Sequence, residues 1–154
     1  MSAFATFTDV KPDFRYYGDL AVYGISAGGI IQTRHFYGAE ARGTLLRMGG
    51  MEHQESLLGG PRAALHFSHL TPYGAFLGGV GNAWWWNNPR HTGQPEPKLD
   101  EAIGPEWSLL GGVDLHFNRR LSFRLGEFSY SKIYVTNRTL TPLGASAGFV
   151  FRIN

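Results

Sequence analysis

The amino-acid sequence predicts an all-β fold, an eight-stranded antiparallel up-and-down transmembrane β-barrel, and three observations lead there. Segments of about ten residues alternate apolar and polar side chains, the period-two mark of a strand. The breaks between them alternate in length. Short links at Gln32–His35, Ser68–Thr71 and Asn118–Arg120 interleave with long ones at Asp9–Ala21, Arg47–His53, Trp85–Pro105 and Thr136–Leu140. Both chain ends then fall on the short-turn side, as in outer-membrane barrels with tight periplasmic turns and longer outward loops. Finally, Gly-Gly pairs recur inside the segments, at Gly28-Gly29, Gly59-Gly60, Gly78-Gly79 and Gly111-Gly112. Glycine weakens an ordinary strand but relieves crowding in a narrow, strongly coiled barrel. Bulges in a soluble barrel are the alternative reading of the same pairs.

The first strand is predicted over Ser2–Thr8, with Ala3, Ala5 and Phe7 on one face and Ser2, Thr6 and Thr8 on the other. The second, Tyr23–Gln32, sets Ala27, Gly29 and Ile31 against Ser26, Gly28 and Gln32. In the third, Phe36–Leu46, Tyr37, Ala39, Ala41 and Leu45 oppose Glu40, Arg42 and Thr44. The fourth, Gln54–Phe67, opposes Ala63, Leu65 and Phe67 to Arg62, Ala64 and His66, and the fifth runs Pro72–Ala83. The sixth, Trp107–Phe117, sets Val113, Leu115 and Phe117 against Asp114 and His116. In the seventh, Leu121–Val135, Leu121, Phe123 and Leu125 oppose Ser122 and Arg124; Glu127 joins the polar face through a bulge near Gly126. The eighth, Leu143–Ile153, carries Ala145, Ala147, Phe149, Phe151 and Ile153 opposite Ser146, Gly148 and Arg152.

Alternation alone does not say which face is outside. A soluble barrel buries the apolar face; a membrane barrel turns it to lipid and fills its lumen with the polar one. Two features favour lipid outside. Glu40, Arg42, Arg62, Asp114, Arg124 and Glu127 are lone mid-strand charges of both signs, the make-up of a neutral buried network. A solvated sheet face is the alternative. Aromatics also gather at strand ends in two bands. Phe36, Tyr37, Phe67, Tyr73 and Phe117 flank the short turns. Tyr16, Tyr17, Tyr23, Trp84, Trp85, Trp86, Trp107 and Tyr134 flank the long loops, as interfacial girdles do.

Composition bounds the function. The 154 residues make one domain, 1–154, and 43% hydrophobic content with 17% charged residues argues against disorder. A net charge of +2, with no basic run longer than Arg119-Arg120, excludes nucleic acid as an expected partner. The absence of cysteine excludes disulfides and thiolate chemistry. The longest nearly apolar stretch, Leu20–Ile31, falls well short of the ~20 residues of a spanning helix, so a membrane location requires a barrel. Ser2-Ala3-Phe4 leads straight into strand-like sequence, so a signal peptide is expected to have been removed from this chain.

The runs Thr71-Pro72-Tyr73-Gly74-Ala75-Phe76-Leu77-Gly78-Gly79-Val80-Gly81, Gly111–Phe117, Leu121–Phe128, and Leu140-Thr141-Pro142 followed by Ser146–Ile153 resemble small outer-membrane barrels of Gram-negative bacteria. These are the OmpA-like and OmpX-like eight-stranded proteins and their uncharacterised relatives, and Phe36–Ala41 fits their third strand. The resemblance implies outer-membrane localisation, lipid as surroundings, and the barrel-assembly machinery as a partner during insertion. Phe149, Phe151 and Ile153 keep the terminal alternation before Asn154.

Little in the sequence signals catalysis. Some eight-stranded outer-membrane barrels modify lipid A with a Ser or His pair and an orienting acid. The nearest candidate, His66-Phe67-Ser68, lies at a short turn with no acid close in sequence. His35, His66, His69 and His116 cluster near the short turns, where a metal site is one reading and polar capping of the barrel mouth the other. No cofactor motif is present, since the Gly-Gly pairs precede no helix. The expected function is therefore a non-enzymatic, monomeric outer-membrane barrel with a structural or surface-interaction role. Recognition is placed on Trp85–Pro105 or Val10–Leu20. An interior just wide enough for side chains argues against a large pore. A soluble lipocalin-type barrel holding an apolar ligand and a lipid A-modifying enzyme are the alternatives.

Overall fold

A computed structural model describes residues 1–11, 22–33, 36–48, 52–87, 98–135 and 138–153. The strands are β1 Ser2–Lys11, β2 Val22–Gln32, β3 Tyr37–Met48, β4 Glu52–Ala64, β5 Leu70–Asn87, β6 Lys98–His116, β7 Leu121–Val135, β8 Arg138–Leu140 and β9 Leu143–Arg152. Each consecutive pair from β1 to β7 is antiparallel, β7 pairs with β9, and β9 returns to β1. The circle is closed, so the eight staves leave no edge along the wall. The three-residue β8 folds onto the end of β7, with Ile133 opposite Leu140. Pro142, which has no N–H for the ladder, separates β8 from β9, while its carbonyl accepts from Ser131 N–H at 2.9 Å.

All four predicted long loops are corrected, for Asp9–Lys11 belongs to β1 and Arg138–Leu140 is β8. Arg47–His53 is mostly strand: β3 runs to Met48, β4 starts at Glu52, and Arg47 pairs with His53. Trp85–Pro105 is not a free loop at its ends, because β5 continues to Asn87 and β6 begins at Lys98, with Trp85 opposite Asp100. The ladder outlasts the apolar alternation because backbone pairing needs no apolar side chain. Pro105 lies just past the last β6–β7 pair, Glu106 with Ile133, where β6 becomes an edge that tolerates proline. The remainder of the predicted Asp9–Ala21 loop, 12–21, and the segment around Gln94 lie outside the described residues.

Side chains follow the pleat. Thr6, Thr8, Ser26, Glu40, Arg42, Arg62, Ser108, Asp114, Arg124 and Ser146 are buried inside. Phe7, Ile25, Leu45, Leu57, Phe76, Leu109, Phe128 and Phe149 stand exposed outside, Phe128 at 73%. Among the described residues the apolar clusters within are small, such as Leu58, Ala75, Leu77 and Leu110. Contiguous apolar surface of this extent is foreign to soluble monomers.

The glycine pairs divide their labour. A Cβ on Gly28, Gly60 or Gly79 would lie 2.0–2.2 Å from a carbonyl oxygen of the neighbouring strand, whereas the partner glycines have room. The seam between β1 and β9 depends on the same economy, since a Cβ on Gly148 would sit 2.1 Å from Ala5 O and 2.5 Å from Thr6 Cα. Gly148→Ala is expected to destabilise by about 1–3 kcal/mol through overpacking. Gly78→Ala, with nothing within 4 Å, should leave the urea midpoint in micelles unchanged or raised. Equal midpoints for the two variants would contradict this account.

Candidate functional site

The lumen is barred by six charges. Glu40 and Arg42 come from β3, Arg62 from β4, Asp114 from β6, and Arg124 and Glu127 from β7. Glu40, Arg42, Arg62 and Asp114 follow the plain alternation of their strands. Arg124 and Glu127 are three apart and would face opposite ways in a regular strand. β7 bulges between them: Val113 opposes Gly126 while Asp114 opposes Arg124, leaving Leu125 unpaired against β6. The extra residue returns Glu127 to the interior.

The charges alternate in a closed ring. Arg42 Nη2 binds Glu40 Oε1 at 2.7 Å, and Glu40 Oε2 takes Arg62 Nη1 at 2.6 Å. Arg62 Nη2 reaches Asp114 Oδ2 at 3.2 Å, and Asp114 Oδ1 takes Arg124 Nε at 2.9 Å. Arg124 Nη1 binds Glu127 Oε2 at 2.9 Å, and Glu127 closes the ring on Arg42 through Nη1 and through Nη2 at 2.7 Å. The links Arg42–Glu127 and Arg62–Asp114 cross the lumen, tying β3 to β7 and β4 to β6. Three cations and three anions sum to zero. Arg124, at 0% exposure, is the most buried of the six. Arg62 Nε alone in the ring lacks a hydrogen-bond partner.

Two aromatic rings complete this layer. The sequence sets Tyr73 among the girdle residues of the short-turn side, whereas in the structure it points into the lumen. Thr71, Tyr73, Ala75 and Leu77 form the buried face of β5, so the phase of the strand carries Tyr73 inward. Its hydroxyl donates to Glu127 Oε2 at 2.5 Å. Arg62 Cζ lies 3.5 Å and Arg124 Cζ 4.6 Å from its ring centroid. Phe4 of β1 lies under Arg42 and Arg124, at 4.9 and 4.7 Å. Such cation–π contacts stabilise guanidinium groups held away from water.

The outer aromatics sit at both ends. Tyr37, Phe67 and Phe117 are exposed near the short turns. At the other end Trp107 is half-buried; it stacks on Phe76, meets Tyr130 at a tilt and donates from Nε1 to Tyr134 Oη at 3.2 Å. Trp84, Trp85 and Trp86 lie in β5, and their side chains are outside the described residues.

His66, His69 and His116 line one opening at the short-turn mouth. His66 and His69 are exposed at the turn between β4 and β5. His116 is held between Thr71 Oγ1, 2.9 Å from its Nε2, and Ser122 Oγ, 2.7 Å from its Nδ1. His35 lies outside the described residues. Among the described residues no three His, Cys, Asp or Glu side chains are grouped to hold a metal. A cavity of about 450 Å³ opens at this mouth, bounded by His66, His116 and Arg152 on one side and by Arg62 and Asp114 of the ring on the other.

No protein-family model matches the chain. No curated protein matches it in sequence. Its fold is that of solved outer-membrane barrels. The chain is similar to Neisserial surface protein A, with TM-score 0.74 and 11% identity over 99% of this chain and 95% of that one. It is also similar to the N-terminal barrel domain of Pseudomonas aeruginosa OprF, with TM-score 0.60 and 13% identity over 97% of each. A third similar structure is Ail, the attachment invasion locus protein of Yersinia pestis, in complex with the heparin analogue sucrose octasulfate. Its TM-score is 0.59, with 14% identity over 97% of this chain and 95% of that one. At these identities the likeness is one of fold.

Proposed function

We propose that this chain is an integral outer-membrane barrel without enzymatic activity, closed to bulk flow by its lumen charges, whose long-loop end carries surface interactions. One observation carries the reading: the outward face is apolar around the wall, while charge is confined to a neutralised ring inside. Such a surface is stable in hydrocarbon and costly in water. The same interior disfavours a lipocalin-type role, because an apolar ligand would meet the ring. The girdle assigned to Trp107, Tyr37, Phe67 and Phe117, and to Trp84–Trp86, fits the two headgroup layers.

The test joins location to orientation. With an epitope inserted near Gln94, the protein is expected in the membrane pellet, extractable only by detergent, and the tag should label on intact cells. Recovery in the soluble fraction would overturn the membrane reading. Labelling only after outer-membrane permeabilisation would overturn the outward placement of the long loops.

A further inference from the structure

Beyond the ring, toward the long-loop end, lies a second, smaller space of about 40 Å³. Its walls are unlike the ring. Thr44, Ser26, Thr8 and Ser146 form a hydroxyl chain across β3, β2, β1 and β9, with Oγ–Oγ separations of 3.0, 3.1 and 3.1 Å. Facing them, Ser131 Oγ donates to Ser108 Oγ at 2.9 Å. Arg42 forms the floor, its charge held by Glu40 and Glu127.

Glu106 of β6 also lines this chamber. It is 5% exposed, and its Oε2 has no hydrogen-bond partner. The carboxylate fills the space left by an absent side chain, since a Cβ on Gly81 would meet Oε2 at 2.3 Å. The other three buried acids among the described residues, Glu40, Asp114 and Glu127, are all in the ring. The ring is neutral without Glu106, so an ionised Glu106 has no partner charge among the described ring residues. A buried carboxyl in that position takes either a proton or a counter-charge. A carboxylate among hydroxyl oxygens is a hard, oxygen-only ligand set, and hard cations take oxygen ligands. The space is large enough for a small ion with one or two waters, each needing roughly 10–15 Å³.

We propose that this chamber binds a monovalent inorganic cation, with Glu106 as its anionic ligand and the surrounding hydroxyls as neutral ones. One negative charge matches one positive charge, and a divalent ion would leave the chamber as unbalanced as an empty one. The site borders the ring at Arg42 and takes none of the ring residues as ligands.

The experiment follows thermal unfolding of the full chain in detergent micelles above the ordinary carboxylate range. Sodium, potassium and N-methylglucamine chlorides are compared at equal ionic strength. A bound ion stabilises the folded state in a saturable way. The midpoint should rise by a few degrees in sodium or potassium relative to the bulky organic cation. Glu106→Gln, which keeps the shape and removes the charge, should abolish that difference. Ser131→Ala should move half-saturation several-fold higher in salt. Identical midpoints in all three chlorides would show that a proton alone satisfies Glu106, and would overturn the proposal. So would a Glu106→Gln protein that still separates the three salts. If Glu106→Gln fails to fold, an unchanged half-saturation in Ser131→Ala overturns it equally.

Discussion

Arg124→Ala is expected to be among the most damaging single changes in the barrel. Arg124 binds Asp114 through Nε at 2.9 Å and Nη2 at 3.3 Å, and Glu127 through Nη1 at 2.9 Å. Its removal leaves three buried acids facing two cations, and Asp114 retains only the 3.2 Å contact from Arg62. Truncating one member of a buried pair costs about 3–5 kcal/mol, because the stranded partner stays charged and dry. The cation–π contacts to Phe4 and Tyr73 go with it. The urea midpoint in micelles should fall clearly. Arg124→Met combined with Asp114→Asn keeps the ring neutral and should recover much of the loss. A single-variant midpoint within experimental scatter of wild type would sink the idea that the ring is an energetic unit.

The second large effect is expected on the opposite face. Phe149 projects outward at 48% exposure, flanked in the ladder by Ala5 and Phe123, with its ring 5.4 Å from that of Phe123. In lipid vesicles Phe149→Arg should cost roughly 2–4 kcal/mol if the site lies near the bilayer midplane. On a water-facing wall the same exchange would fall within about 0.5 kcal/mol of neutral. Ser68→Arg, in an exposed turn, is the control and should be neutral in either case. A harmless Phe149→Arg in vesicles would turn the barrel wall to water.

The staves and their faces were legible because period-two alternation is strong where one face meets water or charge and the other does not. Leu121–Val135 was read with the observed bounds. What the pattern could not carry was length beyond the apolar belt. β5 and β6 run on as a paired ribbon through Trp84–Asn87 and Lys98–Glu101, where the sequence no longer alternates apolar and polar residues while the backbone ladder continues. Tyr73 was misplaced for a different reason. An aromatic next to a short turn suits an interface, and only the phase of Phe76 outward and Leu77 inward reveals that Tyr73 faces the lumen. Glu106 carries no signal of its own in the sequence. It sits beside Pro105 in a stretch that resembled loop, and its isolation shows only once the other buried acids are seen to be paired.

The six-membered ring also constrains how such a sequence can drift. Its charge sum is zero, so any lone loss leaves an odd buried charge, whereas removing neighbours together, such as Glu40 with Arg62, leaves four members still balanced. Tolerated change inside the lumen must therefore arrive in compensated couples, while a lipid-facing Leu or Phe can exchange singly for any apolar neighbour. The wall can diverge freely and the interior only by paired steps. Two barrels of this kind can thus come to share every stave and few residues, with the signed total of the lumen, rather than any one side chain, as the inherited quantity.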